Sequence, residues 1–184
     1  MMINTDGRVE IDLLRKIANI FLLAKLNTAS MSAVYNHCFN PIISTRSYMT
    51  VAPVDLFLDP IALRQGYISI VNQAEHPNAL RVQDSGMVPV CTEIAIVNPE
   101  TCNICKEGEF GEIWVNSEAN LISFTNGPKG PVDNFIKKQF VGKILGDKSD
   151  RTYLRTGDLG FLHHISITKN RSNEAHEEVT SFQP

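Results

Sequence analysis

The sequence predicts a mixed α/β fold with a short helical start and an antiparallel β subdomain, and three patterns carry that prediction. Apolar residues recur at helical spacing near the N-terminus, β-branched and aromatic residues accumulate from Ile42 to Phe57, and apolar and polar residues alternate on two runs between residues 84 and 118. An apolar share of 43% in 184 residues is enough to bury the core of one domain.

The helical start lies over residues 9 to 26. Val9, Leu13, Leu14, Ile17, Ile20, Phe21 and Ala24 recur at spacings of three and four and describe one face of a helix. A second short helix is expected from Thr28 or Ser30 as N-cap, through Val34 to His37, where Asn40-Pro41 stops it. The stretches from Ile42 to Phe57 and from Tyr67 to Val71 read as strands separated by a turn at Asp59-Pro60. Ile94 and Ile96 then alternate with Glu93 and Ala95, and Ile113 and Val115 with Glu112 and Trp114, which predicts an antiparallel hairpin with a long tip. Gly127 to Pro131 reads as a linker, with Pro131 opening a short helix that carries Val132, Phe135 and Ile136. A strand holding Phe161 and Leu162 closes the folded part. The polar residues 169 to 184 are expected to fray.

Charge and composition exclude some functions. Seventeen basic and twenty acidic residues leave a formal charge of -3 and form no basic stripe, so nucleic acid is not an expected partner. The apolar run from Ile20 to Ala24 is too short for a transmembrane segment, and the N-terminus is not basic, so a soluble, cytoplasmic protein is expected. Cys38, Cys91, Cys102 and Cys105 form no disulfide framework. Cys102 and Cys105 make one C-x-x-C, half of a zinc or redox motif without its other half; two small apolar residues at a turn is the favoured reading. His163 and His164 are adjacent on a predicted strand, point to opposite faces and make a poor shared metal site.

The chemistry is concentrated in Thr152 to Leu162, TYLRTGDLGFL. With roughly 7% usage per residue type, a chance match to the six residues RTGDLG has a probability on the order of 10⁻⁷ per starting position. Thr156-Gly157-Asp158 has the make-up of a turn that holds a ribose: Gly157 permits close approach, and the Asp158 carboxylate can accept hydrogen bonds from both hydroxyls of a cis-diol. A plain strand-linking turn fits the same residues. Arg155 either neutralises a phosphate or pairs with a neighbouring acid.

RTGDLG resembles the ribose-binding motif of the adenylate-forming, AMP-binding superfamily. Gly86 to Pro89, followed by Gly108, Gly111, Glu112, Ile113, Trp114 and Val115, resembles a second motif of that family, with one extra residue between Gly86 and Pro89. The segments ISTRSYMTV, RVQDSGMVPV, TEIAIVNPETC, GEFGEIWVNSEA and YLRTGDLGFLH are similar to the fatty-acyl-AMP ligase-like domains of fungal members of the disco-interacting protein 2 family, over residues 9 to 165 or so. The resemblance implies a partial large N-terminal domain of the adenylate-forming fold over residues 1–165, with a β-barrel-like subdomain and a missing small C-terminal domain; residues 166–184 lie outside it and are expected, from their polar composition, to be a disordered tail. It implies contact of Asp158 with an AMP ribose, with Thr156 and Gly157 shaping the turn, ATP or AMP with magnesium as cofactors of the parent domain, and a link to lipid metabolism.

The sequence departs from that family at other points. No Gly/Ser/Thr-rich loop ending in Lys-Gly precedes Asp158, no Y-G-x-T-E stands mid-chain, and no hinge or catalytic lysine follows Leu162. Near the expected place of the aromatic-Gly-Thr-Glu segment stand Cys38 to Pro41 and Ser44 to Tyr48. There Phe39 or Tyr48 is a candidate to stack on adenine and Thr45 to reach phosphate or magnesium, against a plainer role as core and loop residues. The expectation is therefore a fragment of a ligase-like domain that binds adenylate or acyl-adenylate and is inactive alone. A non-catalytic nucleotide- or acyl-binding regulatory module is the alternative, and a metal or redox protein built on Cys102 and Cys105 a weak third. Expected partners are an acyl or nucleotide small molecule, the rest of the parent protein and, through uncovered apolar faces, other copies of the chain.

Overall fold

A computed structural model describes residues 11–25, 34–45, 54–121, 139–167 and 177–183. The helical start forms as α1, Ile11–Leu22, with Asp12 in its first turn where the helix dipole favours an acid. Two strands then form a hairpin, β1 (Val34–His37) and β2 (Asn40–Thr45), closed by Cys38 and Phe39. The helix expected to end at His37 is therefore a strand over 34–37. Val34 and Tyr35, residues that fit a pleated surface, pair across to Thr45 and Ser44, and that pairing outweighs the local helix signal. Buried Asn40 locks the hairpin: its side chain accepts from the Ile42 amide at 3.0 Å and donates to Asn120 at 2.8 Å.

Strand β3 (Asp55–Leu58) overlaps the end of the predicted 42–57 run, and α2 (Pro60–Arg64) replaces the turn expected at Asp59-Pro60. Asp59 caps α2 by accepting from the Ile61 amide at 2.9 Å, and Pro60 occupies the first turn, where its missing N–H costs nothing. The partner of β3 is β4 (Leu80–Gln83), a strand not foreseen, whereas Tyr67 to Val71 contributes only single bridges at Tyr67 and Ile70. Asp55 joins these pieces, receiving hydrogen bonds from Arg15 of α1 and from Arg81 and Gln83 of β4.

The predicted hairpin is the centre of the molecule. Strands β5 (Thr92–Val97) and β6 (Gly111–Ser117) pair in antiparallel register, and β6 pairs in turn with the fifteen-residue β8 (Tyr153–Ile167), flanked by β7 (Val141–Gly142). Alternation gives this sheet two apolar faces. Ala95, Val97, Trp114 and Tyr153 pack with Ile144 on one, while Ile96, Ile113, Val115 and Leu154 pack with Ile43 of β2 on the other. The β1–β2 hairpin thus covers the second face, and Tyr35 and Phe39 lie against that cluster.

Within the polar tail, Glu177–Gln183 form β9, paired antiparallel with Phe161–Ile167 of β8. Tyr48, the linker at Gly127 and the helix at Pro131 lie outside the described residues. Among the described residues no helix is long and apolar enough to cross a membrane.

Candidate functional site

The segment RTGDLG is not a turn between two strands but a bulge inside one. Glu112 of β6 pairs with Leu159 and Trp114 with Arg155, so Thr156, Gly157 and Asp158 of β8 together stand opposite Ile113. A bulge of this kind re-aims side chains that a regular strand would point to fixed faces. Gly157 adopts φ 77°, a conformation that penalises a side chain, and a Cβ there would meet nothing within 4 Å. Gly157 and Asp158 are both exposed at the crest, whereas Thr156 is buried beneath them.

Each residue of the bulge is held by a partner. Thr156 donates its hydroxyl to the Ile113 carbonyl at 2.8 Å and accepts from the Asp158 amide at 3.1 Å. Glu112, 6% exposed, accepts from the Gly157 amide at 3.1 Å with one oxygen and from Arg155 at 2.9 and 3.2 Å with the other. A buried carboxylate is tolerated only when its charge and lone pairs are matched in this way. The Arg155 guanidinium also lies over the Trp114 ring, 5.4 Å from its centre. Of the two roles open to Arg155, the structure shows the internal ion pair.

Asp158 receives a hydrogen bond from the Tyr35 hydroxyl at 2.7 Å, which ties the crest of the bulge to β1 across the sheet interface. Burial raises the Tyr35 phenol far above its ordinary range, and the charges of Asp158 and Glu112 push it the same way against a hydrogen bond with Thr156. Tyr35 therefore stays a proton donor. His37, two residues along the same strand, is lowered by burial, and the charge of Asp158 only partly offsets this. Its Nδ1 accepts from the Phe39 amide at 3.2 Å, and its ring contacts Phe39 edge-on, 5.4 Å between centres.

The sequence-derived residues are thus distributed unevenly. Arg155, Thr156, Gly157 and Asp158 form one structural unit, while Thr45 sits at the end of β2, its backbone exchanging hydrogen bonds with Met87. Phe39 packs on the core and on Phe140, with ring centres 4.8 Å apart, so its ring is a packing element of the hairpin. Tyr35 and the anchoring role of Glu112 escaped the sequence reading. Glu112 was visible in the GEIWV run; nothing local marks Tyr35, which stands 123 residues from its partner.

The C-x-x-C splits across the sheet. Cys102 packs against the face of Val97 and Trp114 and Cys105 against the face of Ile96 and Ile113. Burial and the Glu109 charge raise the Cys105 thiol, which disfavours the reactive thiolate. Among the described residues no group of three or more His, Cys, Asp or Glu stands ready for a metal ion, magnesium included.

Comparison with known proteins gives this geometry a context. No family model matches the chain. The Homeostatic regulator of DAG from Saccharomyces cerevisiae is 43% identical over 93% of the chain, which spans 11% of that protein. Disco-interacting protein 2 of Drosophila melanogaster is 27% identical over 91% of the chain and 9% of its own length. The medium-chain-fatty-acid–[acyl-carrier-protein] ligase JamA of Moorena producens is 33% identical over 66% of the chain and 19% of its own length. The chain superimposes with a TM-score of 0.71 on the fatty acyl-adenylate ligase from L. pneumophila in complex with acyl adenylate and pyrophosphate, at 22% identity, covering 95% of the chain and 27% of the ligase. Sequence and fold together place the chain in the adenylate-forming superfamily, as a partial fatty-acyl-AMP ligase-like domain with homologues in the disco-interacting protein 2 family.

Proposed function

We propose that the chain supplies the ribose-binding wall of an adenylate or acyl-adenylate site, with Asp158 as the acceptor of the ribose hydroxyls. One observation supports this above the others: a bulge raises Asp158 to the surface beside a side-chain-free Gly157, and a buried scaffold of Thr156 and Glu112 holds it there. A strand-linking turn would need no such scaffold. A carboxylate at an open crest can accept from two neighbouring hydroxyls, and the absent side chain at Gly157 leaves room for the sugar ring. Arg155 is committed to Glu112 and acts by holding the bulge.

A fatty acyl-adenylate ligase of the same fold is seen with acyl adenylate and pyrophosphate, and relation to lipid metabolism through acyl activation follows as part of this reading. Adenylation also requires a bound triphosphate and stabilisation of charge at the α-phosphate. The described residues present no phosphate loop for this, and the chain alone is expected to bind without turnover. ATP or AMP with magnesium then belongs to the parent domain, whose remaining parts would contribute the metal ligands and the catalytic lysine.

The test is thermal unfolding of the chain with AMP or a non-hydrolysable acyl-adenylate analogue, and in parallel of Asp158→Asn. A ligand that binds only the folded state raises the midpoint. Stabilisation of the natural chain that disappears in the variant is expected; equal stabilisation of both, or of neither, removes Asp158 from the role. Pyrophosphate exchange with ATP, magnesium and a fatty acid is expected to be silent, and acyl-adenylate formation by the chain would overturn that part.

A further inference from the structure

The carboxylate proposed to meet ribose is exposed, and an exposed Asp samples several rotamers in water. Here one of its oxygens is engaged. The Tyr35 hydroxyl donates to Asp158 Oδ2 at 2.7 Å, and the Tyr35 ring is packed against the core formed by Ile43, Ile96, Ile113, Val115 and Leu154. The donor therefore sits on a rigid base, while the acceptor sits on a bulge whose backbone is itself held by Thr156 and Glu112. A bond between two such anchors fixes the plane of the carboxylate. A carboxylate has about four lone-pair sites, so one donor on Oδ2 leaves Oδ1 and part of Oδ2 for a ligand.

We propose that Tyr35 is the positioning residue of the site: it holds the Asp158 carboxylate in the orientation that receives both hydroxyls of a cis-diol, and so sets the preference for a ribonucleotide over its deoxy analogues. The proposal rests on the reading of Asp158 as the ribose acceptor and adds to it the residue that aims it. Binding then costs no reorientation of the acid, because the hydrogen bond to the phenol is made before the sugar arrives. Tyr35 keeps its proton throughout the range in which proteins are handled, so the donor is always present. No proton is transferred, and the phenol acts on the ligand through the acid it holds.

The test uses the complete chain, with AMP and 2′,3′-dideoxy-AMP as probes in isothermal calorimetry, and four forms: the natural chain, Tyr35→Phe, Asp158→Ala and the double variant. Phe keeps the ring in the core and deletes only the hydroxyl, so a folded variant is expected, and unchanged circular dichroism checks it. Tyr35→Phe is expected to weaken AMP binding about tenfold, the scale of a hydrogen bond to a charged group, and to narrow the gap between AMP and the dideoxy probe. In the Asp158→Ala background the same change is expected to have no effect on AMP, because the group it positions is gone. An equal loss in both backgrounds, or no loss in the natural one, overturns the positioning role while leaving Asp158 as acceptor. If AMP and the dideoxy probe bind the natural chain alike, or AMP does not bind it, the ribose reading itself fails and the inference fails with it.

Discussion

Glu112 is the residue on which the geometry of the bulge turns. It is buried, it takes the Gly157 amide on one oxygen and Arg155 on the other, and its removal strands both donors. Glu112→Ala is expected to cost about 1.5–3 kcal/mol, the range for a hydrogen bond to a charged group, read as a lower urea midpoint. Gly157→Ala is expected to cost about 1–2 kcal/mol for the left-handed backbone alone, since open space receives the methyl group. His37 adds a pH dependence. Its folded pKa lies below the ordinary 6.5, so on acidification the unfolded chain takes up the proton first and the folded state loses stability as pH falls through 6.5 toward the folded value. The urea midpoint is expected to drop between pH 8 and pH 5, and to drop less in His37→Gln. A midpoint indifferent to pH in that window contradicts the lowering of the His37 imidazole by burial. At this scale RTGD was legible because its residue types are unusual in combination. Tyr35 was not, because a tyrosine on a strand looks the same whether or not a distant acid faces it.

The hairpin of β5 and β6 is the element that organises the rest. Its alternation set Ile96 apart from Ala95, and Ile113 and Val115 apart from Trp114, and the structure keeps both separations. Trp114, fully buried, carries the face away from the β1–β2 hairpin, and a Cβ added at Gly142 of β7 would come within 2.6 Å of its ring. Gly142→Ala is therefore expected to destabilise the chain by about 1–3 kcal/mol, the usual cost of overpacking, with a thermal midpoint as the readout. A neutral result would mean that β7 can move off the indole. Elements set by their own pattern were legible: α1 by its helical spacing, β5 and β6 by their alternation. Elements set by a partner were not. β1 is a strand because β2 lies beside it, β4 because β3 does, and the bulge exists because β6 offers fewer residues than β8 over the same span.

At the scale of the whole molecule, α1 and the turn after it present apolar residues that nothing among the described residues covers, with Ile20 69%, Leu22 60% and, in the turn, Leu23 94% exposed. Contiguous apolar surface of this kind promotes association. Sedimentation velocity is expected to show a concentration-dependent shift toward dimers or larger species that Ile20→Lys and Leu23→Lys together suppress, whereas a monomer at every concentration would speak against it. The fold class was readable from patterning, and the superfamily from two motifs in the right order. What patterning could not supply was their junction, in which Glu112 of the first motif grips Arg155 and Gly157 of the second. That junction is why the two sequence runs form one structural unit, and it holds the bulge that raises Asp158 to the surface. The most direct test follows the backbone amide resonances of the chain during titration with AMP. The amides of Gly157 and Asp158 should move first and most, and in Asp158→Asn they should stay where they are; shifts confined to another region, or none at millimolar AMP, would contradict the account.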